Sequence, residues 1–193
     1  ESLGQLENLQ SLELHNNRLK GLPESLDQLT QLPSLNLSYN DLTALPESLG
    51  QLKNLQSLEL HNNHLLKLPE SLGKLKNLQY LDLDQNRLKS LPESLGNLTQ
   101  LLSLNLFGNQ LVDIPSSLIG LKNFDKVIYR NDGIKNNPLN PELVVAYTQG
   151  LEAVRAYLRA KAAAQIILNE AKLILVGEGE VGKTCLMDAL LGN

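Results

Sequence analysis

Apolar and polar positions along the chain follow a pattern that recurs every 23 residues. The first apolar residues of successive copies stand at that interval, and Phe124 continues the series: Leu9, Leu32, Leu55, Leu78 and Leu101. Each copy then reads L-x-x-L-x-L, an alternation typical of a strand with one buried face. Six such registers predict a stack of six short strands.

An asparagine follows each strand pattern at a fixed offset. The members of this series are Asn17, Asn40, Asn63, Asn86 and Asn109. An amide side chain carries two donors and one acceptor, so at a sharp buried turn it can satisfy backbone groups. We expect each asparagine to bond to its own coil and to the next one.

The return segment of each copy reads L-P-E-S-L, as in Leu22 to Leu26, with a variant at Ile114 to Leu118. The prolines of this segment are Pro23, Pro46, Pro69, Pro92 and Pro115. Proline lacks a backbone donor, which suits an outer convex side without a sheet ladder. A sheet on one side and looser segments on the other predict a curved stack.

Together these features resemble the leucine-rich-repeat family over about residues 1–140. The resemblance implies an α/β solenoid with a curved parallel sheet, here predicted over residues 1–139, and the repeated leucines, asparagines and prolines are interpreted as structural. Residues 1–8 match the tail of a repeat, so we expect further repeats before them. The last register is degraded, as is typical of a terminal cap; it consists of Phe124, Val127, Tyr129, Asp132, Ile134 and Asn137.

Two columns of strand residues are predicted to face solvent on the concave side. They are Glu13, Asn36, Glu59, Asp82, Asn105 and Ile128, and beside them His15, Ser38, His61, Asp84, Phe107 and Arg130. The register exposes three aromatic side chains, Tyr39, Tyr80 and Phe107, and aromatic residues tend to anchor interfaces. We therefore predict a surface for a protein partner or a neighbouring domain; the alternative is a solvated sheet face without a ligand.

Metal binding and catalysis are not predicted for the repeats. His15 and His61 share a column two repeats apart, which places their Cα atoms roughly 10 Å from each other. Two ligands of one zinc ion must lie much closer, and His64 in the following turn does not change this. No Ser, His and acid set recurs, so no catalytic residue is assigned.

A helical linker is predicted over residues 140–170. Asn140 is a suitable N-cap, with Pro141 at the first helical position and Glu142 in the first turn. An apolar stripe should pack on the end of the solenoid, and Gly150 should kink or divide the helix. The stripe consists of Leu143, Val144, Tyr147, Leu151, Val154 and Leu158.

Residues 171–193 carry a phosphate-loop motif. Lys172 to Val176 reads as a buried strand, and it leads into G-x-x-x-x-G-K-T and then into a predicted helix from Cys185 to Leu191. The predicted nucleotide-binding residues are Gly177, Glu178, Gly179, Glu180, Val181, Gly182, Lys183, Thr184 and Cys185. In such a loop backbone amides surround the phosphates, Lys183 reaches the β and γ phosphates, and Thr184 ligates Mg²⁺.

The form Gly179-x-Val181-Gly182-Lys183-Thr184 is similar to the Ras-like version of the loop. With the repeats and linker before it, the chain resembles the junction of a Roco-family protein, in which leucine-rich repeats precede a Ras-of-complex GTPase domain. The resemblance implies GTP or GDP with Mg²⁺ as ligands of the intact parent, GTP hydrolysis, and a homodimer formed through a following domain.

Two alternatives remain open at this point: a repeat-linked ATPase, and a scaffold of repeats without nucleotide function. Guanine preference follows only from the resemblance. One strand and one helix cannot bury a parallel sheet, so we expect the 193-residue chain to bind nucleotide poorly and to be inactive alone.

Composition narrows the partners and the compartment. The net charge is −4 and the pI is near 5.4, which disfavours nucleic acid and anionic membrane surfaces. Cys185 is the only cysteine, so no intrachain disulfide can form and a cytoplasmic protein is expected. No apolar run approaches the roughly 20 residues that span a bilayer.

Overall fold

The structure is a computed structural model that describes residues 9–129 and 133–177. Five short parallel strands lie side by side in chain order: β1 (Leu12–Glu13), β2 (Ser34–Asn36), β3 (Ser57–Glu59), β4 (Tyr80–Asp82) and β5 (Ser103–Asn105). The strands pair in a register of one full repeat, as shown by Leu35 opposite Leu58. The predicted solenoid with a parallel sheet is therefore confirmed.

Each strand is followed by a turn and by a short 3₁₀ helix on the opposite side of the coil. These helices are Glu24–Gln28, Glu47–Gln51, Glu70–Lys74, Glu93–Asn97 and Ser116–Gly120. A proline with extended backbone precedes each one, for example Pro46 at φ −72° and ψ 151°. Because proline fixes φ near this value, it fits the entry to a tight turn. Leucines from both sides of the coils fill one continuous core.

The asparagine series forms the predicted ladder of buried amides. Asn40 Nδ2 donates to Leu14 O at 2.9 Å and to Leu37 O at 3.1 Å. Its Oδ1 accepts from Leu19 N at 3.0 Å. Leu14 and Leu19 belong to the preceding coil, so the ladder connects each coil to the one before it, and the expected bonds to the next coil were wrong in direction.

A residue with left-handed backbone precedes each ladder asparagine. The non-glycine members are Asn16, Tyr39, Asn62, Gln85 and Asn136, and Gly108 occupies the same place at φ 64°. The positive φ turns the chain out of the strand and aims the asparagine inward. It also explains why asparagine and glycine recur here, since both tolerate this conformation better than most residues.

The sixth coil differs from the predicted sixth strand. Phe124–Tyr129 forms helix α1, in which Phe124 and Val127 are buried. Their spacing of three residues, with Asp125 and Lys126 between them, fits a helix better than a strand. Ile128 therefore does not continue the concave sheet, and Arg130 and Asp132 lie outside the described residues.

The last ladder position is filled by Asn137. Its Nδ2 donates to Leu106 O at 2.9 Å, and its Oδ1 accepts from Leu111 N at 2.9 Å. Asn137 follows Asn109 by 28 residues, five more than the repeat period. The sixth coil thus contains a five-residue insertion, which α1 accommodates.

Two helices close this end of the solenoid: α2 (Pro141–Gln149) and α3 (Leu151–Gly177). The Asn140 side chain accepts from Leu143 N at 2.8 Å, which confirms the N-cap, and Gly150 at φ 107° separates the helices. Val154 and Leu158 of α3 are buried against the core. Of the predicted apolar stripe, Val144 is exposed.

Helix α3 continues through Lys172 to Gly177, where the sequence predicts a strand. The described part of the chain offers no neighbouring strand to this segment. A helix satisfies its backbone groups within itself, whereas an unpaired strand leaves them without partners. The strand of the predicted phosphate-loop unit is thus not formed in this structure. Among the described helices, none is long and apolar enough to cross a bilayer.

Candidate interaction surface on the concave face

The concave face is defined here by the residues that point away from the core along β1 to β5 and at the second position after each strand. Its side chains include four carboxylates, those of Glu13, Glu59, Asp82 and Asp84. In the described residues of this face there is no lysine or arginine, although the chain contains 17 of them. The face is therefore acidic, and only His15 and His61 can supply a positive charge.

His61 lies at the centre of a small cluster of polar and aromatic groups. Its ring meets Tyr39 edge to face, with centroids 5.2 Å apart and planes at 85°. Its Nδ1 lies 3.4 Å from Asp82 Oδ2 on the next strand. This nitrogen is buried and makes no hydrogen bond to the described residues. The contact between His61 and Asp82 is therefore electrostatic and depends on imidazole protonation.

Two aspartates follow one another on the concave side of the fourth coil. Asp82 Oδ1 accepts from Asp84 N at 3.1 Å, which closes a turn at the end of β4. Burial and the neighbouring Asp82 raise the pKa of the Asp84 carboxyl, and His61 and the Gln85 backbone oppose that rise only in part. Asp84 Oδ1 is buried and has no hydrogen-bond partner among the described residues.

A shallow cavity of about 250 Å³ lies on the same face, across β3, β4 and β5. Its walls are the Tyr80 ring, the hydroxyls of Ser57 and Ser103, and the carboxylates of Glu59 and Asp82. Tyr80 is 46% exposed, and its register partners are the two serines. The cavity can accept a side chain that is cationic at its tip and flat enough to lie beside the tyrosine.

The three predicted aromatic residues are placed differently from one another. Tyr80 stands on β4 within the cavity wall, while Tyr39 is 50% exposed at the turn after β2 and packs against His61. Phe107 is only partly exposed, and its backbone N–H donates to Asn105 Oδ1 at 3.2 Å. The structure thus brings Tyr39 and Tyr80 to either side of the His61 and Asp82 contact.

Histidine and acidic side chains in the described part of the chain do not gather in groups of three that could hold a metal ion. His15 lies 3.3 Å from Glu13 within its own coil. His64 lies 3.7 Å from Asp41, away from His61. The histidines therefore belong to separate local pairs.

The predicted phosphate loop begins where the described residues end. Gly177 is the last residue of α3, and residues 178–193, which include Glu178 to Cys185, lie outside the described part. Their assignment stays a prediction from the motif.

Sequence reasoning missed the contact between His61 and Asp82. Both residues were assigned to the concave columns, but the inference stopped at listing them. The 23-residue period places position 84 beside 61 and position 82 beside 59. Reading across the columns for opposite charges at neighbouring coils could have found the pair.

Comparison with known proteins agrees with the repeat geometry. The sequence profile described as leucine rich repeat matches residues 1–42 and 53–111, more than half of the chain. The chain belongs to the leucine-rich-repeat family. No curated protein matches it over its sequence.

Solved structures of leucine-rich-repeat proteins share the fold. A Leptospira interrogans repeat protein is 38% identical, with a TM-score of 0.55 over 63% of this chain and 37% of that one. The ectodomain of the Arabidopsis thaliana receptor kinase GASSHO1/SCHENGEN3, in complex with CASPARIAN STRIP INTEGRITY FACTOR 2, is 35% identical, with a TM-score of 0.58 over 65% of this chain. The chain spans only 15% of that ectodomain.

A third structure matches over a larger share of its own length. It is the BIR3–SERK2 complex of Arabidopsis thaliana, 34% identical, with a TM-score of 0.58 over 69% of this chain and 72% of that one. Two of the three similar structures are therefore repeat proteins in complex with a partner, and protein binding is the activity associated with this domain.

Proposed function

We propose that this chain is the protein-binding repeat domain of a Roco-type GTP-binding protein, whose intact form binds and hydrolyses GTP. The observation that carries the proposal is the G-x-x-x-x-G-K-T motif from Gly177 to Thr184, which follows the repeats after one helical connection. Leucine-rich repeats supply the interaction surface, and the loop supplies the phosphate site. In this proposal the protein is cytoplasmic and forms a homodimer through a following domain.

Within the loop each residue type has a defined role. The glycines permit a tight backbone around phosphate oxygens, Lys183 neutralises the β and γ phosphates, and Thr184 ligates Mg²⁺. Sixteen residues after α3 supply no complete parallel sheet, so the 193-residue chain alone should show negligible turnover.

Fluorescent GTP and ATP analogues test this nucleotide function on the full-length protein. The expected result is Mg²⁺-dependent binding of the GTP analogue, lost in Lys183→Ala and retained in Lys172→Ala, a matched charge removal outside the loop. Preference for the ATP analogue would favour a repeat-linked ATPase. Binding of neither analogue would overturn the nucleotide proposal and leave a repeat scaffold.

The concave face is the proposed site for the protein partner or for a domain of the same protein. The support is the exposure of Tyr39 and Tyr80 beside an acidic, shallow cavity. Aromatic side chains bury much area at small entropic cost, which makes them frequent anchors of interfaces.

Affinity capture followed by mass spectrometry tests this location. The comparison uses wild type, the double variant Tyr80→Ser and Phe107→Ser, and a control variant Val112→Ser at an exposed apolar site away from the face. Loss of a captured protein only in the double variant supports the concave site. Equal capture by all three would dismiss it.

A further inference from the structure

Glu59 and Asp82 stand directly opposite each other on β3 and β4. Adjacent strands lie about 4.8 Å apart, and like charges in directly opposed positions destabilise a sheet. Asp84 adds a third carboxylate at the end of β4. In the described residues of the concave face no lysine or arginine offsets these charges, and His61 contacts only Asp82.

The same carboxylates line the cavity that contains the exposed Tyr80 ring. Two hydroxyls, of Ser57 and Ser103, flank that ring on the neighbouring strands. The site thus combines two carboxylates on adjacent strands, an aromatic surface and small polar groups that leave room for a side chain.

We propose that this cavity binds an arginine side chain of an extended segment of the protein partner. The inference rests on the proposed function in that it names the chemistry of the partner on the concave face. A guanidinium group presents planar, parallel donors that can bond to Glu59 and Asp82 together. It also stacks on tyrosine better than an ammonium group does, so arginine fits this site better than lysine.

The geometry favours an organic cation over a metal ion. In the described residues no three acidic or histidine side chains converge as a ligand set. A guanidinium carries donors about as far apart as carboxylates on neighbouring strands, and the extended backbone around it can follow the shallow concave strip.

Peptide binding to the full 193-residue chain tests the proposal. The probes are three dye-labelled peptides in which serine alternates with arginine, lysine or glutamate, and the readout is fluorescence anisotropy. We expect the arginine peptide to bind, the lysine peptide to bind more weakly, and the glutamate peptide not to bind. Added salt should weaken the arginine complex because the site is open to solvent.

The decisive variant is Glu59→Gln combined with Asp82→Asn, which keeps side-chain shape and removes the opposed charges. We expect it to weaken the arginine peptide at least ~10-fold, as for loss of a charge-assisted bidentate contact. The control, Glu24→Gln with Glu70→Gln, removes two exposed charges from the other side of the coils. It should bind like wild type.

Each result has a defined meaning. Loss of binding in the decisive variant alone supports the proposal, whereas equal binding to wild type and both variants would show non-specific attraction and overturn it. Absence of binding to wild type would overturn it as well. The decisive variant should fold at least as stably as wild type, because like charges are removed, and thermal unfolding checks this. Failure here leaves the proposed nucleotide function and the capture experiment unaffected, since neither uses these peptides.

Discussion

Lys161 Nζ lies 2.7 Å from Asp113 Oδ2, although the two residues are 48 positions apart in the chain. The same ammonium donates to Ile114 O at 2.7 Å. Both acceptors belong to the turn that follows the fifth coil, and Lys161 belongs to α3. The contact therefore fixes the direction of α3 relative to the repeats. In the proposed parent it would connect the repeats mechanically to the predicted phosphate loop.

Replacing Lys161 with methionine should loosen α3 without disturbing the repeats. Methionine keeps the aliphatic length but leaves Asp113 and the Ile114 carbonyl without their donor, at a cost of about 1 kcal/mol for a partly exposed ion pair. Hydrogen exchange should quicken in α3 and stay unchanged in β2 to β4. The control is Arg159→Met, an exposed residue of the same helix; equal acceleration in both variants would contradict the assigned role of Lys161.

Close stacking of neighbouring coils predicts a strong effect of one glycine. A Cβ at Gly73 would lie 2.3 Å from the Ser94 backbone oxygen, closer than non-bonded atoms can approach. Gly73→Ala should therefore separate the third and fourth coils and lower the free energy of unfolding by about 1–3 kcal/mol.

The chain offers a matched comparison for this change. Gly120 ends the last 3₁₀ helix, and a Cβ there has no neighbour within 4 Å. Gly120→Ala should change the free energy of unfolding by less than about 0.5 kcal/mol. Chemical denaturation of both variants measures the difference, and similar losses in the two would show that stacking is not the cause.

Buried ladder amides should contribute more than the exposed one at the first described coil. Asn63→Ala removes the partners of Leu37 O, Leu60 O and Leu42 N, at a cost of about 2–4 kcal/mol for buried groups left unpaired. Asn17→Ala removes contacts to its own coil at an exposed position and should cost less than about 1 kcal/mol. Equal midpoints in urea for the two variants would contradict the role of the ladder.

The repeat period predicted the sheet because it copies each local environment. A leucine such as Leu58 meets the same neighbours as Leu35 and Leu81, so one pattern decides five coils at once. The sixth coil broke this logic. Fixing the register at 23 residues assigned Asp132 to the ladder, whereas the five-residue insertion places Asn137 there. An insertion changes the partners of every later residue, and periodicity cannot show where it begins.

The interaction surface was predictable in position and not in detail. The columns placed His61 and Asp82 on one face, because alternation along a strand fixes the side from which a residue projects. Their 3.4 Å contact depends on side-chain rotamers and on the Tyr39 ring packed against the histidine. Rotamers are decided by three-dimensional packing, which a repeat pattern does not specify.

Asp84 should make stability depend on pH in a direction opposite to that of most carboxylates. Its pKa in the folded protein is raised above the ordinary 3.8 by burial and by Asp82, so its favourable contribution is complete below 3.8 and is lost as pH rises through the raised pKa. Asp84→Asn should consequently raise Tm by about 2 °C at neutral pH, and this gain should vanish below pH 3.8, where Asp84 is protonated in both states. Differential scanning fluorimetry across that range measures the gain, with Asp125→Asn on exposed α1 as the control for net charge. A gain that persists at low pH, or that the control reproduces, would mean that the repulsion between Asp82 and Asp84 is not its source.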